Sequence, residues 1–134
     1  MLMGSCHCGA VRAEYHTDAP VQLRRDGCGF CRARGVKSTS DPKGRLQITA
    51  RQSLIRYRFA QESADFLICP ICGAYVATFM TGPHGPAGVI NVVGLDIPEL
   101  RDLPATLTSL DGETPDERMR RRLSRWTPMI LMEP

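Results

Sequence analysis

The sequence predicts a mainly β fold, gathered around a metal site and closed by a short C-terminal helix. Three observations carry this. Cys69-Pro70-Ile71-Cys72-Gly73 has the form of half a tetrahedral zinc site, two thiols two residues apart with a glycine able to take the positive φ that closes the knuckle. Short runs of period-two alternation, separated by turn residues, recur between Ala10 and Gly94. Thr114-Pro115-Asp116-Glu117 combines an N-cap, a proline at the first helical position and a glutamate that completes a capping box.

Length and charge narrow the class. At 134 residues the chain reads as a single domain, 1–134, with enough material for its own core. The net charge is +3, and the segment Pro115 to Trp126 carries that excess by itself: Arg118, Arg120, Arg121, Arg122 and Arg125 against Asp116 and Glu117. The rest of the chain is neutral overall, which argues against a field for nucleic acid. Met1 to Ser5 has neither a basic nor an apolar leader region, and no run approaches the ~18 apolar residues of a membrane span. The expectation is a soluble cytoplasmic protein without a membrane partner. In that reducing compartment its six cysteines are expected as metal ligands or reactive thiols rather than disulfides.

Taken in order, Cys6-His7-Cys8-Gly9 opens the chain. In an extended segment residues two apart point the same way, so Cys6 and Cys8 would face one ion and His7 would face away. Val11, Ala13 and Tyr15 alternate with Arg12, Glu14 and His16 as in a half-buried strand, and Thr17 to Pro20 turns the chain. Arg24 to Gly35 holds Asp26, Cys28 and Cys31, with Gly27 and Gly29 on either side of Cys28, and its arginines read either as an ordinary solvated loop or as part of a site. Arg24, Arg25, Arg32 and Arg34 flank it, and neighbouring guanidinium groups or a metal favour thiolate over thiol.

Arg45 to Ala50 and Leu54 to Phe59 read as strands. Phe66 to Ile68 runs into the Cys69 knuckle and Ala74 to Met80 leaves it, so the knuckle should cap a β-hairpin. Thr81 to Pro86 is too rich in glycine and proline for a sheet interior and reads as an irregular loop, followed by a strand over Gly88 to Gly94. On the C-terminal helix Met119, Leu123 and Trp126 form one apolar stripe, while Arg118, Arg121, Arg122 and Arg125 read as a solvated face. Pro128 to Met132 is apolar enough to pack as an arm or to bind a second subunit. On spacing alone, either Cys6/Cys8 or Cys28/Cys31 could complete the site begun by Cys69 and Cys72.

Gly4-Ser5-Cys6-His7-Cys8-Gly9-Ala10-Val11, a cysteine cluster some twenty residues on, Cys69-x-x-Cys72-Gly73 and Asn91-Val92-Val93-Gly94-Leu95-Asp96 occur in an order that resembles the glutathione-dependent formaldehyde-activating enzymes, a family that includes the centromere protein V domain. The resemblance spans about residues 4–98; the helix and arm at about 114–134 carry no family signature. It implies several small curled antiparallel sheets around a zinc site, as in methionine sulfoxide reductase B and the small zinc-binding Rab accessory proteins. It further implies a structural zinc on Cys6, Cys8, Cys69 and Cys72, and a second zinc, open to a thiol substrate, on a Cys-x-Cys-x-x-Cys motif. Here that motif reads Asp26-Gly27-Cys28-Gly29-Phe30-Cys31, with aspartate at the first ligand position and Gly29 where serine is frequent. The arginine that the family tends to carry shortly before the late knuckle is missing from Ser63 to Phe66.

The resemblance implies a carbon–sulfur lyase in which Asp26, Cys28 and Cys31 hold a zinc, acting on the adduct of glutathione or another thiol with a small aldehyde such as formaldehyde. Glutathione presents two carboxylates, for which Arg24, Arg25, Arg32 and Arg34 are the candidate partners. Because a carboxylate oxygen is a harder donor than a thiolate, the second site is expected to be weaker or empty. The alternative is a non-catalytic, zinc-stabilised scaffold whose arginine helix is its contact surface.

Overall fold

The computed structural model describes residues 1–134. In chain order the elements are β1 (Leu2–Ser5), β2 (Val11–His16), β3 (Leu23–Asp26), α1 (Gly29–Arg34), β4 (Ser38–Thr39), β5 (Arg45–Ala50), β6 (Ile55–Tyr57), β7 (Asp65–Ile68), β8 (Tyr75–Gly82), β9 (Gly85–Asn91), β10 (Ala105–Thr108), α2 (Pro115–Arg125) and β11 (Thr127–Met132). The fold is mainly β, as the alternation requires. Val11, Ala13 and Tyr15 of β2 point inward, and β2 lies antiparallel to β5, whose Leu46, Ile48 and Ala50 are buried against them.

The strands join into one open, branched sheet. The order β1-β2-β5-β11-β9-β4-β3-β10 forms the main path, and β8, β7 and β6 leave it at β9. Most ladders are antiparallel; β11 against β5 and β10 against β3 are parallel, so both parallel pairings come from the last third of the chain. One core of Tyr15, Ile48, Leu67, Val76, Ile90, Leu95 and their neighbours lies beneath, and Cys6 and Cys69 belong to it.

Four local expectations need correction. Thr81 to Pro86 is not an irregular loop: Thr81 pairs with Pro86 and Gly82 with Gly85, so only Pro83 and His84 form the turn of the β8–β9 hairpin. At Pro86 β9 has β8 alone as partner, since β11 reaches only Ala87 and Gly88, and the missing N–H interrupts no second ladder. Arg24 to Gly35 is no loop either, but the end of β3, a tight turn and α1. Cys6 and Cys8 are not held by an extended segment; the chain turns between them. Pro128 to Met132 is an internal strand, with Met129 to Met132 beside Leu46 to Thr49 and Thr127 to Pro128 beside Ala87 and Gly88. Thr127 and Met129 face the core while Pro128 and Ile130 face outward, an alternation present in the sequence but too short to read there.

Candidate functional site

The two cysteine knuckles are built alike. The Cys6 N–H donates to the Val11 carbonyl and the Gly9 N–H returns to the Cys6 carbonyl, both at 2.9 Å. The Cys69 N–H donates to the Ala74 carbonyl and the Gly73 N–H returns to the Cys69 carbonyl, again at 2.9 Å. Gly9 and Gly73 adopt φ of +80° and +79°, the left-handed backbone that closes each turn. Each knuckle thereby lifts two sulfurs toward the same point. Cys6, Cys8, Cys69 and Cys72 offer sulfurs that all lie within 4.8 Å of one another, and the Cys6–Cys8 and Cys8–Cys69 separations are both 3.7 Å. These separations are far beyond a disulfide bond of ~2.05 Å, and all six cysteines are free.

Backbone donors already point at this cluster. The Val11 N–H lies 3.3 Å from the Cys6 sulfur. Burial pushes the Cys6 thiol up to about 11. At Cys72 burial also acts upward, but the N–H groups of Ala74 and Cys8 outweigh it and bring the thiol down to about 6. His7 is exposed, outside the group.

Asp26, Cys28 and Cys31 form a second group, with a carboxylate oxygen and two sulfurs inside the same 4.8 Å limit. Its frame is local. β3 is held between β4, through Arg24 opposite Ser38, and β10, through Asp26 opposite Thr108. Asp26 Oδ1 accepts from the Cys28 N–H at 3.0 Å, which turns the chain sharply into α1, and Cys28 caps that helix with its own sulfur, accepting from the Cys31 N–H. Burial, the neighbouring Cys28 and the Asp26 carboxylate together drive the Cys31 thiol far above its ordinary value. Three groups that each become anions on deprotonation are thus crowded together, a donor set that fits a cation.

This group opens on a cavity of about 180 Å³. Phe59, Phe66 and Tyr75 give it an apolar wall, and Phe30 packs behind them with ring centroids 5.4, 4.9 and 5.0 Å away respectively. The hydroxyls of Tyr75 and Thr78 are hydrogen bonded to each other. Burial, then the charges of Cys31, Cys28 and Asp26, keep Tyr75 neutral by pushing its phenol upward. The rest of the lining is mainly cationic, with Arg24 and, from α2 and its C-cap, Arg118, Arg121, Arg122 and Trp126, beside the single acid Asp111.

Of the arginines singled out in the sequence, Arg24 lines the cavity. Arg25, Arg32 and Arg34 are exposed and outside its lining, and Arg34 lies over the Phe30 ring at 3.8 Å. Of the α2 arginines read as a solvated face, Arg125 is exposed, but Arg118, Arg121 and Arg122 are not. Arg118 and Arg121 share Glu113, and Arg122 is 7 % exposed, donating through Nη1 to the Ser63 carbonyl and hydroxyl. A signal for this was present: Arg122 stands three residues after Met119 and four before Trp126, on the apolar stripe itself. Tyr75 and Thr78 had no such signal, because their place depends on the pairing of β8 with β9.

Asn91 was visible only as part of a motif. Its side chain is buried, donating to the Tyr75 carbonyl at 3.0 Å and accepting from the N–H groups of Lys37 and Val93 at 3.3 and 3.2 Å. It thereby fixes the start of β8, and with it Tyr75, against β9.

The comparisons agree with this frame. A crystal structure of a Rhodobacter sphaeroides protein aligns with a TM-score of 0.60 at 29% sequence identity, covering 79% of this chain and 99% of that one. The family model described as glutathione-dependent formaldehyde-activating enzyme matches residues 1–103. Both cysteine knuckles, the Asp26 group and Asn91 fall inside that match, whereas β10, α2 and β11 follow it. The chain belongs to the glutathione-dependent formaldehyde-activating enzyme family.

Proposed function

We propose that the protein is a carbon–sulfur lyase acting on the adduct of glutathione, or a related small thiol, with formaldehyde or another small aldehyde. The observation that carries this is the meeting of Asp26, Cys28 and Cys31 at a cavity with one apolar and one cationic wall. A zinc held by those three residues would leave a position for a substrate sulfur and supply the Lewis acidity that keeps it a thiolate. Cys6, Cys8, Cys69 and Cys72 suit a second, purely structural zinc. Four sulfurs ~2.3 Å from one zinc lie about 3.8 Å apart along a tetrahedron's edges, close to the 3.7 Å separations here.

The reaction needs one bond and one proton. Sulfur–carbon bond formation removes the thiol proton and adds one to the aldehyde oxygen; cleavage of the hydroxymethyl adduct reverses both. The phenol of Tyr75, kept protonated and hydrogen bonded to Thr78 in the cavity wall, would donate to that oxygen and recover the proton. Phe59 and Phe66 keep bulk water from the reacting carbon. The cationic wall is folded onto the same cavity, which favours catalysis over the scaffold reading, in which that wall would face a macromolecule.

Formation and decay of the hydroxymethyl adduct, measured with and without protein because the reaction also proceeds unaided, test the proposal. The wild type should accelerate both directions, and glutathione should protect Cys28 and Cys31 from alkylation. Equal rates for the wild type and a Cys28→Ser, Cys31→Ser double variant would end the lyase reading for formaldehyde.

A further inference from the structure

Arg122 is a buried cation without a counter-ion. It makes no ion pair, its Nε has no hydrogen-bond partner, and its Nη1 donates to neutral groups only. The Trp126 ring, 4.7 Å from its guanidinium carbon, offers partial compensation. Arg24, across the cavity lining, also lacks a carboxylate partner; its Nη2 donates to the Ser40 hydroxyl at 3.1 Å. Burial and then the charges of Arg121 and Arg118 lower Arg122 to about 10, while burial, Arg125 and Arg121 lower Arg24. Of the acids nearby, Glu113 is already shared by Arg118 and Arg121, and Asp111, which also lines the cavity, makes no ion pair with Arg122 or Arg24. An uncompensated buried guanidinium is costly, and Arg122, together with the half-buried Arg24, presents the cavity with guanidinium groups that neither Asp26 nor Asp111 of its lining pairs.

We infer that Arg122 and Arg24 form an anion subsite that selects a carboxylate-bearing thiol, built from β3 and from a helix that lies beyond the family-matched residues. The identification of the ligand as a thiol rests on the function proposed above; the subsite itself rests on the two unpaired guanidinium groups. A planar carboxylate suits the fork of donors that each arginine presents. The subsite and the Asp26 group line one cavity, so an anionic tail held at α2 would orient the sulfur toward Cys28 and Cys31. Because α2 supplies one of the two arginines, the substrate preference depends in part on a segment that the family model does not describe.

The chain has one tryptophan, and it lines the cavity, so its fluorescence reports binding directly. Three probes suffice: 3-mercaptopropionate, 2-mercaptoethanol and propionate. The wild type should bind 3-mercaptopropionate at least about tenfold more tightly than 2-mercaptoethanol, the effect expected of charge-assisted hydrogen bonds. Arg24→Gln and Arg122→Gln should each reduce that preference at least about fivefold and leave 2-mercaptoethanol unchanged. Arg24→Gln decides the matter alone if the Arg122 variant does not fold. No preference in the wild type, or one that survives in folded Arg24→Gln, overturns the subsite. Arginine-dependent binding of propionate without any gain from a sulfur would uphold the subsite and refute the thiol reading.

Discussion

Asp26 has two tasks for one carboxylate. Oδ1 accepts from the Cys28 N–H and sets the turn, while the carboxylate as a whole contributes an anion to the group with Cys28 and Cys31. Two substitutions separate the tasks. Asp26→Asn keeps a carbonyl oxygen for the turn but removes the charge, so the protein should fold normally and hold less metal at this site. Asp26→Cys restores a soft ligand, and metal content per chain should rise toward two under a graded chelator. Unchanged metal content in both variants would leave Asp26 as a turn residue only. Asn91 poses a different residue-scale problem, because its amide serves the backbone groups of Tyr75, Lys37 and Val93 in a buried place. Asn91→Ala would leave them unpaired, at a cost of about 1–3 kcal/mol, read as a lower denaturation midpoint. Gly94 lies against the same spot: a Cβ there would stand 2.1 Å from the Tyr75 carbonyl oxygen, so Gly94→Ala should destabilise too, by shifting β8 where Tyr75 begins it.

Among the elements, the hairpin through the Cys69 knuckle was legible because both of its strands and its turn are continuous in sequence. So was α2, whose capping box is complete, with the Glu117 N–H on Thr114 Oγ1 and the Thr114 N–H on Glu117 Oε1. Strands β3, β4 and β10 were not legible. They are short, and β10 and β3 pair in parallel across most of the family-matched stretch, a contact that no local period announces. The site inherited that blindness: the grouping of Asp26, Cys28 and Cys31 was suggested by their closeness in sequence and by the family resemblance, and the cationic wall, which depends on where α2 docks, was not legible. One electrostatic staple is a property of elements rather than residues. Arg56 of β6 joins Asp65 of β7 to Glu133 just past β11, and Arg58 adds a second contact to Asp65 at 2.5 Å. Burial acts to raise Asp65, but the hydrogen bonds from Arg58 and Arg56 outweigh it and the carboxyl is lowered below its ordinary 3.8. A depressed carboxyl stabilises above its unfolded value and loses that contribution as pH falls through the lowered one. Asp65→Asn should therefore be less stable than the wild type at neutral pH, and the gap between their melting temperatures should close below about pH 4. A gap independent of pH would assign the effect to packing.

For the whole molecule, two ties hold a branched sheet that no single hairpin could stabilise. β11 is the first, since it joins β5 to β9 and thus the β1-β2-β5 portion to the rest. The Cys6–Cys8–Cys69–Cys72 cluster is the second, and it links two sulfurs that are 61 residues apart along the chain. Cys6 and Cys69 are both in the main core, so without a cation the fold must bury thiols that face one another with no tetrahedral centre between them. Metal binding at such a site is folding free energy, because the unfolded chain does not preassemble four ligands. Chelation should consequently proceed in two stages. Mild chelator should empty the Asp26–Cys28–Cys31 site, abolish adduct turnover and leave the melting temperature almost unchanged, because that site is framed by one turn and one short helix. Strong chelator, or Cys72→Ser, should remove the four-cysteine metal as well and lower the melting temperature by more than about 10 °C, the scale set by a loss of several kcal/mol in a domain of this size. A Cys72→Ser protein that kept both its metal and its melting temperature would show that the late knuckle is tied to the sheet by packing alone.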